Sequence, residues 1–278
     1  MKYPTIMIGT MVKNSERWLP RYFRVVESLD YPKDKIRIVF IYGDSFDKTL
    51  ELLKDFKKKT KYKVEVYKEQ YDQSLQYGAQ AAAIIYKDWQ ELLTEDYFLL
   101  LDSDVVEVPS NLLQELIKID ADIVAPYPWS EGHRHFYDSW IFRINNKRFH
   151  PTDPPGYGLK YPIKVDSVGT CFLAKKEVFK TTPILNPYPN LTFCNNARKR
   201  GYTVVACPFL EIFHIDLEKM GIYHNPLPPS FGGYPDKGFL TSNYKVERYF
   251  TKEEIKEKYF KEEQEVLKDI LGSEKNDT

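Results

Sequence analysis

Cysteine is scarce in this chain, and an excess of either charge is missing. The three cysteines, Cys171, Cys194 and Cys207, are odd in number and no two stand close in sequence. That excludes a disulfide framework and a zinc knuckle, and it points to a reducing compartment. Forty basic and forty acidic side chains cancel, so the basic footprint of a nucleic-acid binder is lacking. No apolar run nears the ~18 residues needed to span a bilayer. Met1-Lys2-Tyr3-Pro4 leads into a strand-like run without a secretory-signal pattern. The expectation is a soluble, cytoplasmic protein. Asn190-Leu191-Thr192 and Asn276-Asp277-Thr278 match the glycosylation sequon, which carries weight only on a secretory route.

What is present is enough for a large core: 278 residues, 42% of them hydrophobic and 15% aromatic. Apolar strand-like runs at 5–10, 36–42, 62–67 and 97–101 alternate with helical spacing at 18–29, 48–59 and 75–93. Nearly continuous apolar strands separated by helices predict an α/β fold whose parallel sheet is covered on both faces. Ligands of such sheets bind beyond the carboxyl ends of the strands. After about Pro126 the rhythm breaks into loops rich in Pro, Gly, His and Trp, around a short strand at 139–144. Strand character returns at 165–174, and 193–200 and 202–206 suggest a helix and a further strand. Residues 225–243 read as loop. Thr251-Lys252-Glu253-Glu254 is a capping-box pattern opening a charged helix to about Leu271. That helix docks on the domain, or serves a dimer or a membrane surface.

The central chemical signal is Leu99-Leu100-Leu101-Asp102-Ser103-Asp104. Two acids end an apolar strand, and residues i and i+2 of an extended chain project to one side. Adjacent carboxylates repel unless a cation or a proton lies between them. Oxygen donors suit Mg2+ or Mn2+, which would bridge to the phosphates of a nucleotide. A polar turn after a strand is the plainer alternative, but the place in the α/β rhythm favours a site. His214, just after a strand-like segment, is a further candidate ligand. The stretch from Trp129 to Trp140, with Glu131, His133, Arg134, His135 and Asp138, reads as an acceptor wall.

Taken in order, residues 5–16, 43–49, 98–104, 137–140, 165–179 and 198–216 resemble the GT-A glycosyltransferases, most of all family 2 and the Anp1-type (mannan polymerase) mannosyltransferases. The resemblance implies a Rossmann-like, mixed and mostly parallel sheet flanked by helices. Residues 1–224 would form the GT-A domain and 225–278 a loop with a C-terminal helical extension. It also implies a metal-dependent transfer of sugar from a nucleotide-sugar donor, GDP-mannose or a UDP-sugar, to a glycan, glycolipid or glycoprotein acceptor. By resemblance, Asp104 would be the direct ligand of Mn2+ or Mg2+, Asp102 a ribose or water-mediated contact and His214 a further ligand. Thr10, Asn14, Glu16 and Asp44 would line the nucleoside, and Gly169 would admit the donor sugar. Asp47 is expected to cap the following helix.

One departure affects mechanism. Inverting enzymes of this kind place an acid near the start of a late helix, where this chain reads Leu191-Thr192-Phe193-Cys194-Asn195-Asn196. Asparagine is no base at neutral pH. A retaining reaction, Asp138 or Asp166 serving as base, or donor binding with little turnover are the three consequences. A nucleotidyltransferase is the rival enzyme class, but Gly9-Thr10-Met11-Val12-Lys13 is too poor in glycine for its phosphate loop. A carbohydrate-binding protein on the same fold is the non-enzymatic rival.

Overall fold

The computed structural model describes residues 3–69, 78–132, 135–139, 141–148, 152–185, 188–215, 246–258 and 261. His133, Arg134, Trp140, the expected loop at 225–243 and the expected helix beyond 261 lie outside the described residues.

The first half follows the alternation read from the sequence. β1 (Ile6–Val12), α1 (Leu19–Glu27), β2 (Ile36–Tyr42), α2 (Thr49–Lys59), β3 (Lys63–Lys68), α3 (Gly78–Leu92) and β4 (Tyr97–Leu101) succeed one another. β5 (Val105–Glu107), α4 (Leu112–Ile119), β6 (Ile123–Ser130), β7 (Ile163–Lys164), β8 (Cys171–Lys175), α5 (Lys176–Thr181), α6 (Pro189–Lys199) and β9 (Val204–His214) follow. The sheet order is β3-β2-β1-β4-β8-β6-β9-β5, with β7 also paired to β9. β1 pairs in parallel with β2 and β4, β2 with β3, and β6 with β9. β8 runs antiparallel to both β4 and β6, and β5 antiparallel to β9. This is the mixed, mostly parallel sheet expected of a GT-A-type domain.

Strand residues alternate between two cores because successive side chains leave a strand on opposite faces. Ile6, Ile8, Ile38, Phe40, Leu99 and Leu101 enter one core with α1, α2 and α4. Met7, Val39, Ile41, Phe98 and Leu100 enter the other with α3, α5 and α6. At Gly9 the rings of Phe98 and of Trp89 on α3 leave no room for a side chain. A Cβ there would stand 2.5 Å from the Phe98 ring and 2.9 Å from that of Trp89.

Three elements differ from the sequence reading. β6 carries Pro126 and Pro128 and is buried throughout, although proline argues against an inner strand. Its pairing to β8 stops at Val124, so from Pro126 onward one side of the strand needs no N–H. Among the described residues the strand expected at 139–144 is reduced to isolated bridges of Arg143 with Ser167 and Ile144 with Lys147, after Phe142 N donates back to Asp138 O at 3.0 Å. β9 runs eight residues beyond the expected 206, through a register shift against β6.

The capping box is present: Thr251 N donates to Glu254 Oε2 at 2.8 Å and Glu254 N to Thr251 Oγ1 at 3.2 Å. The segment before it lies on the domain, with Lys164 N donating to Glu247 O and Tyr249 N to Pro162 O, both at 2.9 Å. No helix among the described residues is long and apolar enough to cross a membrane.

Candidate active site

The carboxyl ends of β1, β2, β4, β6 and β9 share one edge, as parallel pairing requires. On leaving β4 the chain turns at Asp102–Asp104, with Val105 N donating to Asp102 O at 3.1 Å. β5 then crosses to β9, and its register sets Val105 opposite His214. Asp104 and His214, 110 residues apart in sequence, are thereby placed side by side. Ile215 N donates to Asp104 O at 3.0 Å and Glu131 N to His214 O at 2.8 Å, fixing both backbones.

The His214 side chain is buried. A carbonyl only accepts, so the 3.1 Å contact between Nδ1 and Ile215 O puts the imidazole proton on Nδ1. Nε2 then presents a lone pair 2.8 Å from Asp104 Oδ1. Two acceptors at that distance repel unless a proton or a metal ion lies between them. Anchoring the far ring nitrogen on a carbonyl is how proteins orient a histidine ligand. The Tyr137 ring covers the imidazole face to face, with centroids 3.4 Å apart. Burial, then Asp104 and then Asp138, pushes Asp102 well above the usual carboxylate range. Among the described residues no group of three or more His, Cys, Asp or Glu side chains stands where it could hold a metal ion, so Asp102 does not join Asp104 and His214 as the expected third ligand. Two protein donors with the remaining positions left open is how Mg2+ and Mn2+ are shared with substrate phosphates, so the residues fit such an ion.

Asp138, next in the chain to Tyr137, is 6% exposed. Burial pushes its carboxyl up to about 7, while the backbone N–H groups of Ile141 and Gly169, and the charge of Arg143, pull the other way. Its Oδ2 has no hydrogen-bond partner. Gly169 allows this packing, because a Cβ there would stand 2.7 Å from Asp138 Oδ2. The next residue, Thr170, holds φ 42°, a left-handed value rare for a β-branched residue. Its carbonyl accepts from Asp102 N at 3.0 Å, which ties the strained turn to the acidic one. Asp166 is placed differently. Its Oδ1 is 2.6 Å from Arg198 Nη2, and Oδ2 accepts from Asn146 N.

The loops after β1 and β2 clamp each other. Phe46 N donates to Asn14 Oδ1 at 3.1 Å and Asn14 N to Ser45 Oγ at 2.9 Å. Glu16 N donates to Asp47 Oδ2 at 3.0 Å, and Lys48 N to Glu16 Oε2 at 3.1 Å. Asp47 Oδ1 accepts from Thr49 N at 3.0 Å, the helix-capping role expected of it. The Thr10 hydroxyl is buried against that of Tyr22, which turns it away from the strand tips. Asp44 is exposed and pairs with Lys68 at 3.0 Å. Between the clamping residues Phe46 is 91% exposed, an aromatic face at the ligand edge that the sequence reading passed over. His135 N donates to Ser130 Oγ at 3.3 Å, and Arg21 holds Glu131 through two bonds of 2.8 and 3.1 Å.

The sheet and the acidic turn at its edge define a GT-A-type glycosyltransferase domain. Solved structures share the fold. GalNAc-T7 with UDP, GalNAc and Mn2+ superposes with a TM-score of 0.57 at 18% identity, covering 84% of this chain and 46% of that one. The mannosyltransferase PcManGT from Pyrobaculum calidifontis, in complex with GDP-Man and Mn2+, gives 0.54 at 13% identity, covering 77% and 57%. The profile of the glycosyltransferase family 25 N-terminal domain matches residues 3–153, more than half of the chain, and the chain belongs to that family. The finer likeness to family 2 and to the Anp1-type enzymes is not specifically shown. A glycosyltransferase 25 family member of Anopheles gambiae is 30% identical over 145 residues, 46% of this chain and 24% of the relative. Procollagen galactosyltransferase 1 of Danio rerio is 22% identical over 221 residues, 68% and 35% respectively. The chain spans about a quarter of the length of the insect relatives it matches.

Proposed function

We propose that the chain is a metal-dependent glycosyltransferase that moves a hexose from a nucleotide-diphosphate sugar to a hydroxyl of a glycan, lipid or protein acceptor. Residues 1–224 carry the reaction in this reading, and 225–278 are an extension of the domain. The observation that carries it is His214 Nε2 facing Asp104 Oδ1 at 2.8 Å on the ligand edge, a nitrogen and an oxygen placed to share one cation. A UDP-sugar is the first donor to test, because a relative is named a galactosyltransferase and a structural neighbour holds UDP. GDP-mannose, held by another neighbour, is the second.

Asp104 and His214 present oxygen and nitrogen to the ion, with Asp102 beside them. A divalent cation bound there supplies charge neutralisation for the departing diphosphate, the largest catalytic contribution expected in such a site. Asn14 and Glu16 hold the two nucleoside-side loops together, leaving Phe46 and the backbone at the tips of β1 and β2 for the base and ribose. Of the two candidate bases, Asp138 fits better than Asp166. A carboxyl raised by burial to about 7 is poised to take a proton at neutral pH. Asp166 is neutralised by Arg198 and serves structure.

The test is release of UDP from UDP-galactose with Mn2+ and with EDTA. Turnover should vanish in chelator, and Asp104→Ala should cut the Mn2+-dependent affinity for UDP at least tenfold. Full turnover in EDTA refutes the metal reading. A retaining reaction is the second reading, favoured by Asn195 and Asn196 where an acid is expected on α6. The anomeric configuration of the product, read by NMR, separates the two.

A further inference from the structure

The backbones of Asp104 and His214 are fixed to each other, Ile215 N donating to Asp104 O at 3.0 Å, so the freedom the pair keeps lies in its side chains. His214 is held at two places, and they restrain different motions. The contact of Nδ1 with Ile215 O, 3.1 Å long, fixes which edge of the imidazole faces that carbonyl, because the opposite turn of χ2 would offer it a carbon. It does not fix the plane of the ring, since the torsion that carries an imidazole is broad. The plane is set by Tyr137. The two rings lie 12° from parallel with centroids 3.4 Å apart, a spacing that leaves no room for water between them.

Tyr137 is itself built into place. The chain returns antiparallel beside the end of β6, with Ser130 N donating to His135 O at 2.9 Å and Tyr137 N to Pro128 O at 2.8 Å, and Trp129 bridged to Phe136. Neighbouring side chains of an extended segment leave on opposite faces, so Phe136 and Tyr137 are sent in opposite directions. Phe136 is fully buried, edge-to-face with Tyr127, Trp129 and Phe142 at centroid distances of 5.1, 5.9 and 5.2 Å. Tyr137 is left over His214. The β6 residue opposite His214 in the register is Ser130, whose side chain is small enough to leave the two rings in contact. Asp138 secures the far side of the turn by accepting from the N–H groups of Ile141 and Gly169. An aromatic cluster of the core thus anchors the ring that covers the histidine. We propose that Tyr137 is a positioning residue for the metal site, its ring face holding the His214 imidazole in the plane that keeps Nε2 on Asp104. The assignment rests on the reading of Asp104 and His214 as ligands of one ion and extends it to the residue that aims one of them. Removing a group that orients a ligand histidine from outside costs about 10- to 100-fold in metal affinity.

Two measurements on the full chain test this. Tyr137→Phe keeps the aromatic face, and Tyr137→Leu keeps apolar bulk without it. Mn2+ uptake in the presence of UDP, followed as loss of the free-ion EPR signal, should stay within about twofold of the parent in Tyr137→Phe and weaken about 10-fold in Tyr137→Leu. The stack is also readable with no metal present, because the face of an aromatic ring shields protons lying over it. The chain has five histidines, and the ring-proton NMR signals of His214 are those lost in His214→Ala. They should lie upfield of their position in free histidine in the parent and in Tyr137→Phe, and return towards it in Tyr137→Leu. Unshifted signals in the parent overturn the proposal whatever the variants do, and so does a Tyr137→Phe loss of Mn2+ affinity equal to that of Tyr137→Leu. If the parent binds Mn2+ and Tyr137→Leu binds it as tightly, only the present proposal fails. If the parent takes up no Mn2+, the metal reading itself has failed and this one falls with it.

Discussion

At the scale of single residues, the site is governed by how few of its polar atoms are satisfied by the protein. Asp166 has a guanidinium and a backbone N–H; Asp138 has one oxygen left bare. The same burial that tunes Asp138 for proton transfer makes it a liability once charged. Its folded value of about 7 lies above the ordinary 3.8, so the native state holds a proton that the unfolded chain has lost between those pH values. Stability is therefore greatest below pH 4 on this account and falls as pH rises through 7, by on the order of 4 kcal/mol. Asp138→Asn should flatten that fall and leave the protein more stable than the parent at pH 8, as urea unfolding at several pH values will show. The same variant should lose at least 100-fold in turnover, and in the parent the rate should climb with a midpoint near pH 7.

At the scale of elements, the loops after β1 and β2 act as one unit. Eight residues, 14–16 and 45–49, exchange side-chain and backbone hydrogen bonds in both directions, and Asn14 accepts a left-handed φ of 49° to do so, a conformation asparagine tolerates. The acids of these loops were legible in the sequence as candidates for nucleoside contact. What was not legible is that several of them are occupied with each other, since that depends on two strands lying side by side. The clamp leaves Phe46 projecting into solvent. Phe46→Ala should weaken UDP binding several-fold, measured by calorimetry, and leave the unfolding midpoint unchanged, because a ring that is 91% exposed contributes almost nothing to folding. Unchanged affinity would remove Phe46 from the nucleoside site.

At the scale of the whole molecule, metal and nucleotide should behave as part of the fold. On the proposed function both would bind where β4, β5, β6 and β9 converge, and a ligand specific for the native state at 100 times its Kd stabilises by about 2.7 kcal/mol. For a domain of this size that amounts to a rise in Tm of roughly 5 °C or more. Mn2+ and UDP together should produce it in a thermal melt. EDTA or His214→Ala should erase it, and a rise that survives His214→Ala would place the nucleotide elsewhere. The described C-terminal residues lie on the domain: Glu247 bonds Lys164 of β7, Tyr249 bonds Pro162 beside it, and Lys252 meets Asp120 at 2.7 Å.

The sequence by itself determined the alternating first half, the acidic pair at the end of β4, the helix cap at Asp47 and the capping box at Thr251. Each of these is written in local spacing, since strand period, helix period and cap chemistry act over a few residues. Through the resemblance it also named Asp104 and His214 as ligands of one ion. Only the tertiary structure decided that they face each other, through a three-residue strand too short to announce itself and a register that no local pattern encodes. It likewise sorted Asp138 from Asp166, because an acid's partners, Arg198 for one and a bare oxygen over Gly169 for the other, are set by chain packing across the sheet and not by neighbours in sequence.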